Sequence, residues 1–124
     1  MRLGILEDNI TLARLLTLAF TTAEHQVSTH TNASTFLADV IGEEAAGSNF
    51  DALIIDLILP GQLSGTEVVQ QVRKTYPELP IIIISAAGDK DIDQAARQLR
   101  AVTIIRKPFR IQSLLATIEM LRCQ

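Results

Sequence analysis

Short aliphatic runs alternate with longer stretches of helical period along the whole chain. Residues 3–6 (LGIL), 53–55 (LII), 81–84 (IIII) and 102–105 (VTII) are brief, apolar and bounded by Pro, Gly or polar residues, which predicts strands. The run 25–30, HQVSTH, predicts a fifth and more polar strand. Between them, segments 10–22, 33–46, 66–75, 91–99 and 111–121 place apolar residues at helical spacing. In the first of these, Leu12, Leu15, Leu16 and Ala19 fall on one face, and Ile10, Leu15 and Leu18 are expected to be mostly core. Ser64 and Glu67 form a capping box that opens the third helix. Tyr76-Pro77 closes it, because the residue before proline resists the helical conformation. The stretch 42–49 is the loosest, yet nothing in it marks a boundary, so one domain is expected over residues 1–124.

Five strand–helix units in order imply a parallel sheet with helices on both faces. The all-aliphatic first, third and fourth strands want burial on both sides, hence the centre. The polar second strand suits an edge, and so does the fifth, with Thr103 and Arg106. Right-handed crossovers then favour the order 2-1-3-4-5, a flavodoxin-like α/β three-layer sandwich. In that arrangement ligands bind beyond the C-terminal strand ends, at the switch between strands one and three.

Composition narrows the setting. Apolar residues make up 48% and charged residues 20% of 124, a folded and soluble balance. No apolar run is long enough to cross a bilayer, and MRLGILEDN does not read as a leader. The single cysteine, Cys123, permits no internal disulfide, and a cytoplasmic setting is expected. A net charge of −3 argues against nucleic-acid binding by this segment alone. From Arg97 onward, however, Arg100, Arg106, Lys107, Arg110 and Arg122 face one acid, Glu119, an uneven and basic tail.

The strand ends carry the chemistry. Glu7 and Asp8 come directly after strand one, Asp56 ends strand three, Ser85 ends strand four and Lys107 comes after strand five, all at one edge of the sheet. Three acids converging there would repel one another by several kcal/mol in a poorly solvated cleft. Their coexistence calls for cations: Mg²⁺, which takes a few carboxylate oxygens and leaves room for a phosphate, and the fixed ammonium of Lys107. Asp51, at the opposite end of the third strand, is expected to be structural. Asp8 or Asn9 is expected to cap the first helix. His25 and His30 have no ligand-spaced partners and are expected at the surface.

This set resembles the receiver domain of two-component response regulators. The matching residues are EDN at 7–9, DLILP at 56–60, the Ser-Ala pair at 85–86 and KPF at 107–109. The resemblance implies a phosphorelay receiver that takes a phosphoryl group on Asp56 from a histidine kinase or a phosphotransfer protein and switches conformation to control an output. It implies that Glu7, Asp8, Asp56 and the backbone carbonyl of Ile58 hold Mg²⁺. Lys107 would neutralise charge and Ser85 would bind a phosphoryl oxygen. It implies a cis bond between Lys107 and Pro108, donor docking near Ile10, and an output or homodimer surface on the fourth helical segment, the fifth strand and the fifth helix. The domain would be a signalling phosphoacceptor that catalyses its own phosphorylation and dephosphorylation, and it would touch no membrane.

Two departures from the family bear on switching. Ile104 stands where many receivers carry an aromatic ring, so coupling of that ring to Ser85 cannot operate in the usual way. The loop PGQLSG at 60–65 is one residue longer than the commonest pattern. Ile58 and Ala87 stand at positions that tune phosphoryl lifetime in the family and are both apolar, so the resemblance implies that no acid or amide directs a hydrolytic water and that the phosphoryl lifetime is moderate to long. Two other functions compete. A degenerate receiver would act only as a binding module, which the intact set of five residues disfavours. An aspartate-nucleophile phosphatase of the haloacid dehalogenase type needs an acid two residues after the nucleophile, and that residue is Ile58. Neither GxxxxGK nor GxGxxG occurs.

Overall fold

The alternation of strand and helix seen in the sequence is the alternation of the fold. The structure is a computed structural model that describes residues 1–42, 50–57, 64–86, 94 and 101–122. Its elements run β1 (Arg2–Leu6), α1 (Ile10–Thr22), β2 (Gln26–His30), α2 (Ala33–Ile41), β3 (Ala52–Asp56), α3 (Gly65–Thr75), β4 (Ile81–Ala86), β5 (Val102–Lys107) and a last helix (Ile111–Arg122). All four strand pairings are parallel, in the order β2-β1-β3-β4-β5 expected from strand polarity. Apart from Gln94, the helical segment expected at 91–99 lies outside the described residues. So do the stretch 43–49, the loop 58–63 and the residues Ala87, Arg97, Arg100 and Cys123.

Side chains alternate across the sheet and build two cores. Leu3, Ile5, Ile54, Ile82 and Ile84 pack under Leu16 and Phe20 of α1 and Leu114 and Ile118 of the last helix. Leu6, Leu53, Ile55, Ile81 and Ile83 pack under Phe36 and Val40 of α2 and Val68, Val69 and Val72 of α3. The three central strands are therefore buried on both faces, as runs without polar alternation require. At roughly 1.5–3 kcal/mol per fully buried aliphatic side chain, these layers dominate the favourable side of folding.

Caps fix the helix starts. Asn9 and Asn32 each accept a hydrogen bond from the backbone three residues on, Leu12 N at 3.0 Å and Thr35 N at 2.9 Å. Ser64 Oγ accepts from Glu67 N at 3.2 Å, and α3 ends at Tyr76 before the proline. At the foot of the sheet, Asp51 closes a reciprocal ring with Arg2. Asp51 Oδ2 accepts from Arg2 N at 2.6 Å, and Asp51 N donates to Arg2 O at 2.8 Å.

Three expectations are corrected. The buried stripe of α1 is Ala13, Leu16 and Phe20, while Ile10, Leu15 and Leu18, expected to be mostly core, point outward at 57%, 48% and 66% exposure. Helical spacing alone fits either stripe, and Phe20, the largest apolar side chain of α1, decides which one turns inward. Helix α2 stops at Ile41 because Gly42 leaves helical geometry at ψ 171°, in line with the low helix propensity of glycine. The histidines are not surface residues. The His25 ring is fully buried between the Met1 amine and Glu119, each at 3.1 Å, with Phe20 edge-on. His30 is partly buried and bonded to Asp39 at 2.9 Å and Thr35 at 3.1 Å. In both cases the partners come from other elements, beyond the reach of local spacing.

Candidate functional site

The two central strands β1 and β3 end side by side, and both lead into acids. Glu7 leaves β1 with its N–H still bonded to His30 O at 3.0 Å, so it is held to the sheet and is only 1% exposed. One of its oxygens, Oε1, accepts from Asn9 N at 3.2 Å. Asp56 is the last residue of β3, opposite Ile84, and is likewise buried. One oxygen from each of Glu7, Asp8 and Asp56 lies within 4.8 Å of the other two. Among the described residues, no other three His, Cys, Asp or Glu side chains meet in this way.

Lys107 closes the cluster from the far edge. It ends β5 in register with Ala86 and reaches across β4, so that Nζ donates to Asp56 Oδ2 at 2.9 Å and stands 4.0 Å from Glu7 Oε2. The peptide bond from Lys107 to Pro108 is cis. Ser85 is buried one step beyond Ile84, the residue paired with Asp56.

Among the described residues, three clustered carboxylates meet one ammonium, that of Lys107. Burial, reinforced by a hydrogen-bond contact with Asp56 and its charge, pushes the Glu7 carboxyl up to about 7, against the pull of Asn9 N–H and Lys107. Burial works against the Lys107 ammonium, but the Asp56 hydrogen bond and the charges of Asp56, Glu7 and Asp8 outweigh it and raise its pKa. Glu7 Oε2 is buried and has no hydrogen-bond partner among the described residues. Three clustered carboxylates, one ammonium and an orphaned buried oxygen fit a hard divalent cation with a preference for oxygen, such as Mg²⁺.

The remaining candidates from the sequence are spread over the molecule. Ile58, whose carbonyl was expected at the metal, lies outside the described residues. Ile10 opens α1 directly behind the acids and is 57% exposed. Ile104 pairs with Ile83 and packs on the core under α2 and α3. Of the basic tail, Arg106 and Arg110 are exposed. One residue escaped notice in the sequence. A Cβ on Gly65 would stand 2.4 Å from both Asp56 O and Leu57 Cα, so only glycine lets α3 begin this close to the end of β3. The signal was the glycine next to the capping serine, where a helix former would otherwise serve.

The chain is similar to known proteins. Over 115 aligned residues, 93% of this chain, it is 35% identical to the response regulator ArlR of Staphylococcus aureus and 32% identical to the uncharacterized transcriptional regulatory protein YkoG of Bacillus subtilis. It covers 49% and 48% of those proteins, so the chain spans about half the length of the curated relatives it matches. A response regulator receiver domain protein from Clostridium thermocellum superposes with a TM-score of 0.87 over 97% of this chain and 92% of that one, at 22% identity. A CheY-like receiver domain protein from Methanospirillum hungatei gives 0.86 over 98% and 93%, also at 22%. At such identities the likeness is one of fold. The sequence match to the response regulator receiver domain runs from residue 3 to 119 and takes in all three acids, the buried serine and the lysine that meets Asp56: the chain belongs to the response regulator receiver domain family.

Proposed function

We propose that Asp56 is the phosphoacceptor of this domain and that the transfer depends on Mg²⁺. The observation that carries this reading is the salt bridge of 2.9 Å between Lys107 Nζ and the buried Asp56 carboxylate, beside two further acids. Asp56 Oδ attacks the phosphorus of a phosphohistidine or a small phosphodonor. The new O–P bond forms as the bond to the donor's nitrogen or oxygen breaks, and the leaving group takes the electron pair. Lys107 offsets the negative charge that gathers on the phosphoryl oxygens, and the buried Ser85 hydroxyl is one strand away to bond one of them. Glu7, Asp8 and Asp56, with the carbonyl of Ile58, would hold Mg²⁺, which when bound supplies further neutralisation of phosphoryl charge. For release, water attacks the phosphorus, the bond to Asp56 breaks with its electron pair left on the carboxylate, and inorganic phosphate departs, so that the domain catalyses its own phosphorylation and dephosphorylation.

The donor is a histidine kinase or phosphotransfer protein, and exposed Ile10 beside the acids supports docking there. Residues 1–124 act as one receiver domain in the cytoplasm. Its output passes to an effector region or a homodimer through β5 and the flanking helices, with Ile104 packing in place of a moving ring. The test is incubation of the purified chain with a small phosphodonor and Mg²⁺, then intact-mass analysis. The parent should gain the mass of one phosphoryl group, and Asp56→Asn should not. Equal labelling of both, or none of the parent, would remove Asp56 from the role.

A further inference from the structure

β2 is an edge strand, and two of its five residues turn their backbone polar groups away from the sheet. Gln26 N donates to Met1 O at 2.9 Å, and His30 O accepts from Glu7 N at 3.0 Å. In a parallel ladder the N–H and C=O of one residue face the same way, and direction alternates along the strand. Gln26, Ser28 and His30 therefore face β1, while Val27 and Thr29 present their N–H and C=O outward. Among the described residues nothing blunts this edge: QVSTH carries no proline, lysine or glycine and pairs with β1 residue for residue.

Beside that edge runs an apolar groove. It has a volume of about 520 Å³ between α1 and the strand, lined by Ala13, Arg14, Leu18, Thr21, Thr29 and Thr31 among others. The hydroxyls at its floor answer one another, since Thr17 Oγ1 meets both Ala13 O and Thr29 Oγ1 at 2.8 Å. The remaining wall offers carbon. Leu18 is 66% exposed, and Arg14 has no charged partner among the described residues.

We propose that the β2 edge and this groove together bind an extended peptide segment, added to the sheet as a sixth strand. Its backbone answers Val27 and Thr29, alternate apolar side chains enter the groove, and an acidic residue meets Arg14. The three features select this occupant. A helix would fill the groove but leave the outward backbone groups unanswered. A second copy, paired β2 to β2, would set one concave groove against another and fill neither. The groove reaches Ile10 beside the carboxylate cluster but takes in none of the three acids, so its occupancy does not require phosphorylation of Asp56.

The test uses the whole chain and an acetylated, amidated peptide of about seven residues, the length of a typical edge strand. The peptide carries valine at alternate positions, threonine between them and aspartate at one end. Saturable amide shifts in the chain with slowed exchange at Val27 and Thr29 are expected. N-methylation of the peptide amides that face β2 should weaken binding roughly tenfold or more, while methylation of the opposite amides leaves it intact. Leu18→Asp, a change at an exposed side chain, should weaken it similarly. Arg14→Glu should lose the aspartate peptide and gain one with lysine in its place. No saturable binding, or equal binding by both methylated peptides, would overturn the proposal. So would shifts without protection of Val27 and Thr29, the result a docked helix gives, or a sedimentation shift to dimer abolished by Val27→Pro.

Discussion

Replacing Glu7 by Gln should make the metal-free protein more stable in mild alkali and nearly blind to Mg²⁺. The folded carboxyl holds its proton up to about pH 7, against an ordinary 4.5. Between those values the folded chain carries more protons than the unfolded one, so the stability of the metal-free parent falls as pH rises through that window. At 1.36 kcal/mol per unit the ceiling is roughly 3 kcal/mol. Solvent near Asp8 screens part of it, which leaves about 1–2 kcal/mol. Glutamine imitates the protonated acid at every pH, so Glu7→Gln should match the parent near pH 5 and exceed it by that amount at pH 8. Added Mg²⁺ should reverse the order, because it favours the ionised trio. At about a hundred times its Kd it contributes ~2.7 kcal/mol to the parent, and much less to a site short of one charge. Urea midpoints monitored by circular dichroism from pH 5 to 8.5, with and without Mg²⁺, measure both effects. Parallel pH curves, or equal Mg²⁺ shifts at pH 8, would refute the reasoning.

The same geometry sets three further outcomes. Lys107→Met should cost about 1–2 kcal/mol in urea at pH 8 without metal, since it leaves buried Asp56 and Glu7 facing each other. The loss should shrink near pH 5, and a constant loss across pH would mean packing and not charge. Gly65→Ala should cost on the order of 3 kcal/mol or more, because its Cβ has backbone and no yielding side chain to meet at 2.4 Å; a melting temperature within a degree or so of the parent would contradict that. Glu24 sits at φ 69°, in the left-handed region just past α1, so Glu24→Gly should raise stability by about 0.5–1 kcal/mol in the same denaturation assay.

The strand order was legible because polarity differs so sharply between VTIIRK or HQVSTH and IIII. Only the aliphatic strands can bear helices on both faces, and the two cores under Phe20 and Phe36 are the result. The cluster of Glu7, Asp8, Asp56 and Lys107 was legible for a related reason. Parallel strands deliver everything at their C-terminal ends to one edge, so position along the chain translates into position in space. What could not be read depends on contacts between distant elements. Leu15 and Leu18 have the spacing of core residues, yet Ala13, Leu16 and Phe20 win the inward face by the bulk of Phe20 against the sheet. His25 looked like a surface residue until Met1 and Glu119, from opposite ends of the chain, closed over it. Gly65 stands out only faintly, as a glycine next to the capping serine, and its necessity becomes plain when a Cβ is placed against Asp56 O.

The ring between Arg2 and Asp51 has a consequence for how variants of the crown are interpreted. It rivets β1 to β3 at their feet, a full strand length from the acids at their tips. A strand slipped by one step would have to tear that rivet and invert every aliphatic side chain above it. Exchanges at Glu7, Asp8 or Asp56 thus alter the charge on a fixed trellis, and a lost reaction in such a variant speaks of chemistry and not of a misthreaded sheet.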